Sequence, residues 1–169
     1  MSTPALSAEH QALLAHLNAQ RQHVLGILEG LDEEALRRPV LPSGWSCLGL
    51  LRHLALDDER FWFQAVLGGA SDAIAEVTNG ATTAWDVGPE TSAPSVFDLY
   101  REQAERADAI IAATPLDAPP AWWPDFFGGW RLDSSRAVIL HVLTETAVHA
   151  GHLDAARELI DGRTWLILT

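Results

Sequence analysis

Apolar residues recur along this chain with helical rather than strand spacing. From Ser7 to about Gly30, Leu13, Leu17, Val24 and Leu28 keep helical register, with Ser7 as a natural N-cap and Gly30 as a stop. One further turn of helix is expected over Asp32-Glu33-Glu34-Ala35-Leu36, after which Pro39, Pro42 and Gly44 break the chain. A second helix is predicted from Ser46, as N-cap, to about Leu67, where Gly68-Gly69 end it. From Ala70 to Pro94 the period is lost among Gly, Thr, Asn and Pro. That stretch reads mainly as connection, long enough to be a functional or mobile segment.

A third helix is predicted over Ser95 to Ala113, with Phe97, Tyr100, Ala104, Ala107 and Ile111 on one face. Thr114 to Leu132 is irregular and carries Trp122, Trp123, Phe126, Phe127 and Trp130 among prolines and glycines. The fourth helix runs from about Asp133 to Ile160, Asp161-Gly162 stop it, and a short apolar tail follows from Arg163 to Thr169. Four long helices with breaks between them predict an all-α four-helix bundle with long irregular connections. With no internal repeat, the 169 residues suit one domain spanning 1–169.

Composition narrows the function. Hydrophobic residues make up 48% of the chain, enough for a packed core rather than disorder. The formal net charge of −12 argues against a nucleic-acid partner, because phosphate binding needs clustered cations. A lone cysteine, Cys47, rules out a disulfide within the chain. Its place near a helix N-terminus would lower its pKa in principle, but it reads as a small buried residue. No apolar run approaches ~18 residues and no charged segment precedes one near Met1, so a cytoplasmic protein with no membrane partner is expected.

The fourth helix concentrates the chemistry. At ~100° per residue, His141, Glu145, His149 and His152 fall within an arc of roughly 80°. A polar stripe is usually a solvated face. Here Val138, Val142, Val148 and Leu153 flank it, and Leu140, Leu143, Ala147 and Ala150 cover the opposite side, as on a buried helix. Buried imidazoles and a carboxylate need partners, and a metal ion is an efficient one. The rise of ~1.5 Å per residue separates His141 from His152 by roughly 16 Å, so only neighbours can share an ion. Glu145/His149, His149/His152 and His141/Glu145 all remain open on periodicity alone.

A further ligand must come from another helix. His10, His16 and His23 lie among Gln, Asn and Arg on the first helix and read as wet surface. His53 sits in the apolar run Leu50-Leu51-Arg52-His53-Leu54-Ala55. Asp57, one turn on, would be a partner behind the ligand or simply solvated, and less readily a ligand itself.

These residues resemble the DinB-like superfamily of metal-binding four-helix bundles. Trp45-Ser46 with Gly49-Leu50-Leu51-Arg52-His53-Leu54 is similar to that family's second-helix start, which bears the first ligand. Glu145-Thr146-Ala147-Val148-His149-Ala150-Gly151-His152 is similar to its pair of ligands four apart. Arg136, His141, His149-Ala150-Gly151-His152, Asp154, Arg157-Glu158 and Asp161-Gly162 resemble an actinobacterial-type branch of unassigned domains, itself similar to mycothiol S-transferases. The resemblance runs from about Ser7 to Gly162 and is strongest in the fourth helix. Many members have His where this chain has Glu145; a Glu there resembles mycothiol-dependent maleylpyruvate isomerase. The resemblance implies His53, Glu145 and His149 as metal ligands, His152 beside them or toward the substrate, and His141 as an inner structural group. It also makes a homodimer plausible, with the tail from Trp165 to Leu168 as a candidate contact.

Two histidines and a carboxylate leave positions open on a divalent ion, the pattern of a catalytic site, with Zn²⁺ the first choice and Ni²⁺ the second. The leading expectation is a metal-dependent S-transferase that activates a low-molecular-weight thiol, of the mycothiol type, against small electrophiles. The alternatives are a hydrolase using metal-activated water with His152 as proton carrier, and a non-catalytic metal- or small-molecule-binding stress protein. Trp122, Trp123, Phe126 and Trp130 would line a pocket mouth or cap the core. Arg52, Arg60 and Arg136 would grip an anionic substrate or form ordinary ion pairs.

Overall fold

The computed structural model describes residues 6–80 and 83–166, and these form an all-α bundle with no strand among them. Helix α1 (Ala8–Leu28) is capped by Ser7, whose hydroxyl accepts from His10 N–H at 3.2 Å. A short α2 (Glu33–Arg37) follows, capped by Asp32. Helix α3 (Cys47–His53), capped by Ser46, continues without a break into a π-helical segment (Leu54–Leu67). Its wider winding shows at the exit, where Gly68 N–H donates to Phe63 O, five residues back, at 2.9 Å. Helix α5 (Ala93–Ala113) starts two residues earlier than its apolar pattern predicts, because Ser92 caps it and Pro94 needs no N–H in the first turn. Helix α6 (Ser135–Asp161) is capped by Ser134 and ends where Gly162 takes a left-handed conformation, φ 78°.

The segment expected to be connection holds an additional helix, α4 (Ser71–Thr78). Ala73, Ile74 and Val77 give it an apolar face, but over a window too short to stand out from its Gly- and Thr-rich flanks. Helix α4 packs on the π segment, which also lies against α5 and α6, while α1 packs along α6.

Two apolar clusters fill the bundle. One joins Val24, Ile27, Leu28, Leu48, Leu51, Leu54, Tyr100, Leu153 and Ala156. The other joins Leu17, Trp62, Phe63, Val66, Ala107, Ile111, Val138 and Val142. Along every long helix a polar residue separates the two: Arg21 on α1, Asp58 and Glu59 on the π segment, Gln103 on α5, Thr146 on α6, all buried. Arg21 grips Glu59 with two hydrogen bonds of 2.7 and 2.6 Å and reaches Asp108 as well. Gln64 donates to Gln103. A polar stratum therefore crosses the bundle, and the candidate site lies at its open end.

His10 departs from the surface role expected of it. It is buried, with Nε2 3.1 Å from Thr114 O at the end of α5, because α1 crosses that helix end there. His16 is exposed, as expected. The tail folds back on its own chain. Asp154 accepts from the backbone N–H groups of Trp165 and Leu166 at 2.7 and 2.9 Å, and Trp165 Nε1 donates to His23. The Trp165 indole lies so close to Gly26 that a Cβ there would sit 2.4 Å from it. Leu168, part of the expected dimer contact, lies outside the described residues. No helix among the described residues is long and apolar enough to cross a membrane.

Candidate metal centre

His53 is the last residue of the α-wound part of α3, Asp57 and Asp58 follow in the first π turn, and Glu145 and His149 face them from the middle of α6. The His53 and His149 rings meet edge to face with centroids 5.1 Å apart. One donor atom from each of His53, Asp58 and His149 lies within 4.8 Å of the other two. Glu145 Oε2 is 3.9 Å from His149 Nε2. Around one tetrahedral ion such donors stand roughly 3.3–3.5 Å apart, so side-chain shifts of about an ångström would close the set.

Asp58 is the group that sequence reading missed, and the winding of the helix explains why. In an α-helix, a residue five positions beyond His53 points roughly 140° away from it. A π turn bonds i to i+5, so residues four and five along both return close to the starting face. Asp57 and Asp58 thus flank the His53 position together. No local composition signals this change of winding.

The electrostatics suit metal binding. Burial, aided by the nearby His53 and His152, presses the His149 pKa down to about 4, so its imidazole is neutral at pH 7 and keeps a lone pair free for a metal. Burial and the neighbouring Glu145, Glu59 and Asp57 carboxylates hold the Asp58 pKa well above its ordinary value. Asp58 Oδ2 is buried with no hydrogen-bond partner among the described residues. Such an oxygen is costly without a partner, and a cation between it and the imidazoles would supply one. His53 Nδ1 lies 2.7 Å from Asp57 Oδ2, which fixes the ring and leaves Nε2 as its basic nitrogen. The residues present therefore fit a divalent ion.

The rest of the predicted stripe divides. His152 is exposed at the rim, its Nδ1 3.5 Å from His149 Nδ1 and its ring 6.5 Å from Trp45. His141 lies deeper, between Trp62 and Trp130 at 4.6 and 5.7 Å, with its pKa lowered by burial. Val138, Val142 and Leu153 are buried as the pattern predicts, but Leu140 and Val148 are exposed, so α6 turns one apolar face outward. Among the aromatics, Phe126 and Phe127 line a cavity beside the site, with Trp123 and Trp130 packed behind them. Trp122 is tied by its backbone N–H to Val66 O at 3.1 Å, and its ring packs on the core.

None of the three arginines named above is free for an anion. Arg136 pairs with Glu9 and Asp117 at the start of α6. Arg60 is held by Asp72 and Glu76 at 2.9 and 2.8 Å. Arg52 donates to the carbonyls of Thr83, Ala84 and Asp86. That last contact pins a loop whose Trp85 stacks on His53, centroids 4.1 Å apart. Gly49 permits it: a Cβ there would lie 2.5 Å from Trp85 O. Cys47 is buried, and desolvation pushes its thiol up to about 11.

Two cavities meet at the site. One, of about 440 Å³, is lined by His53, Asp57, Asp58, Phe61, Trp62, Phe126, Phe127, His141 and Glu145 together with residues of α4. The other, a trough of about 740 Å³, runs past Arg37, Trp45, Ser46, Thr83, Trp85 and Asp86. Asp57 lines both.

A helical bundle with this sequence is a DinB-like protein. Within that class, the family model for mycothiol S-transferase matches residues 12–162, and the chain belongs to that family. No curated protein matches the chain.

Proposed function

We propose that this protein is a metal-dependent S-transferase that joins a low-molecular-weight thiol of the mycothiol type to small electrophiles. The observation that carries the reading is the convergence of two imidazoles, one of them kept neutral by burial, on the carboxyl of Asp58, whose buried Oδ2 has no hydrogen-bond partner among the described residues. His53, Glu145 and His149 would hold the ion, with Asp58 offering an oxygen from the buried side and Glu145 closing the open side. Zn²⁺ and Ni²⁺ both suit imidazole ligands. Bound there, the ion would favour the thiolate form of an approaching thiol at neutral pH.

The chain's own groups set the stage for the transfer. Asp57 orients His53, and Trp85 covers the outer face of the same ring. The trough past Trp45 and Trp85 takes the hydrophilic body of the thiol, since flat indole faces stack on sugar-like rings. His152 at the rim is placed to carry the thiol proton to solvent. The sulfur then bonds to the electrophilic atom, and the leaving group departs with its electron pair.

The test is conjugation of a bimane-type electrophile with mycothiol, bacillithiol and glutathione, before and after metal removal. Thiol-dependent turnover that is lost on chelation and restored by Zn²⁺ or Ni²⁺ supports the proposal. Absence of thiol-dependent turnover with every thiol overturns it, and substrate loss without any thiol would point to a hydrolase instead.

A further inference from the structure

The cavity between the π segment, α4 and the Phe126–Phe127 turn has a composition of its own. Its apolar wall comes from Leu56, Phe61, Trp62, Val77, Phe126 and Phe127. The rings are offset or edge to face: Phe61 lies 6.4 Å from Phe126 and 6.1 Å from Phe127, and Trp62 stacks on Phe127 at 5.6 Å. Phe126 is 67% exposed, so the wall is open to a ligand rather than closed on itself. At about 440 Å³ the space suits a molecule of one or two rings.

Its charge is one-sided. Asp57, Asp58, Glu76 and Glu145 line it against a single guanidinium, Arg60. Arg60 donates to Asp72 and twice to Glu76, and also to Gln64, so its charge is already answered within the wall. Away from the proposed metal centre, an anionic group would meet carboxylates and find no unpaired cation, whereas a neutral or cationic one would not be opposed.

We infer that this cavity is the electrophile's seat and selects flat, apolar, uncharged or cationic molecules over carboxylates. The inference rests on the transferase reading above and names the class of its second substrate. His53, Asp58 and Glu145 form one end of the cavity, so a ring seated against Phe61 and Phe126 would lie next to the proposed centre. Asp72 and Glu76, both on α4, set the discrimination by holding Arg60 away from the ligand.

The experiment is a titration of three isosteric probes, 4-nitrobenzyl alcohol, 4-nitrobenzylammonium and 4-nitrobenzoate, followed by quenching of tryptophan emission. It uses the whole protein after chelation, so that no bound ion attracts the carboxylate. With no ion bound, the alcohol and the ammonium should bind at least tenfold tighter than the carboxylate. Replacing both partners, Asp72→Asn with Glu76→Gln, should free Arg60 and narrow that gap to threefold or less. Phe126→Ala, at an exposed position that does not threaten folding, should weaken the alcohol several-fold, and Val77→Trp should block all three probes. Carboxylate binding as tight as the alcohol in the chelated protein, saturable quenching that Phe126→Ala and Val77→Trp leave unchanged, or no saturable quenching by any probe would overturn the inference. No thiol takes part, so failure here leaves thiol transfer standing, and failure of the conjugation assay leaves the measured preference of the cavity standing.

Discussion

His53 Nδ1 lies 2.7 Å from Asp57 Oδ2, one turn further along the same helix. A carboxylate behind a metal-binding imidazole fixes its orientation and raises its basicity, and losing such a partner typically costs 10–100-fold in metal affinity. Asp57→Asn keeps the shape and loses the charge. It should weaken metal binding by about that factor, read by competition with a chromogenic chelator, while the unfolding midpoint of the metal-free protein changes little. Unaltered affinity would reduce Asp57 to a surface carboxylate.

The ligands themselves should behave more severely. Metal analysis of purified His53→Ala and His149→Ala should find both close to empty, with circular dichroism preserved. Comparing Asp58→Asn with Glu145→Gln then ranks the carboxylates. Both should lower metal content, Asp58→Asn without opening the site and Glu145→Gln on its solvent side. Full occupancy in both histidine variants would remove the centre altogether.

Arg21 supports a different kind of prediction. Its guanidinium is 3% exposed and its partner Glu59 only 1%. Arg21→Ala strands Glu59 in the polar stratum and should destabilise the protein by about 3–5 kcal/mol in urea unfolding. Replacing both with apolar residues of similar volume, as in Arg21→Met with Glu59→Met, should recover much of the loss. A single variant as stable as the parent would contradict the pairing.

Cys47 should be silent. With its pKa pushed to about 11 by burial, the thiolate is a fraction of about one in a thousand at pH 8. An aromatic disulfide reagent should therefore find no reactive thiol in the native protein and one after denaturation. The sign follows from the direction of the shift: reactivity in the native state should grow only as pH rises toward 11. Rapid native labelling at pH 8 would place Cys47 in the chemistry.

Gly49→Ala tests the loop over the site. The new Cβ would collide with Trp85 O, a backbone atom that cannot swing aside. Overpacking of this kind costs about 1–3 kcal/mol and should displace Trp85 from His53. A changed near-ultraviolet dichroism with the far-ultraviolet spectrum intact would show it; identical near-ultraviolet spectra would argue against the close approach.

The long helices were legible because their caps and apolar faces are local. Ser7, Ser46 and Ser134 each receive a backbone N–H, and Gly162 ends α6 in a left-handed turn. His53, Glu145 and His149 were nameable from spacing and resemblance, and they face one another across the bundle. Asp58 was not, because its place depends on a turn width that no residue type announces. Trp85 was hidden in an apparent connection, held over His53 by Arg52 and by the absence of a side chain at Gly49. His10 has polar immediate neighbours in sequence, and its partner, Thr114, is over a hundred residues away, so its burial leaves no local trace.

The wide helix after His53 also makes chain length a ruler. Residues are counted along it, so Asp58 reaches the site because each turn is bonded over five positions rather than four. Removing one residue between His53 and Trp62 would tighten the coil, rotate every later side chain, and exchange which acidic residue looks inward. A relative that had lost such a residue would have to find its inner oxygen elsewhere, or do without one. Insertions and deletions here, more than substitutions, are thus where the ligand set of this bundle would be rewritten.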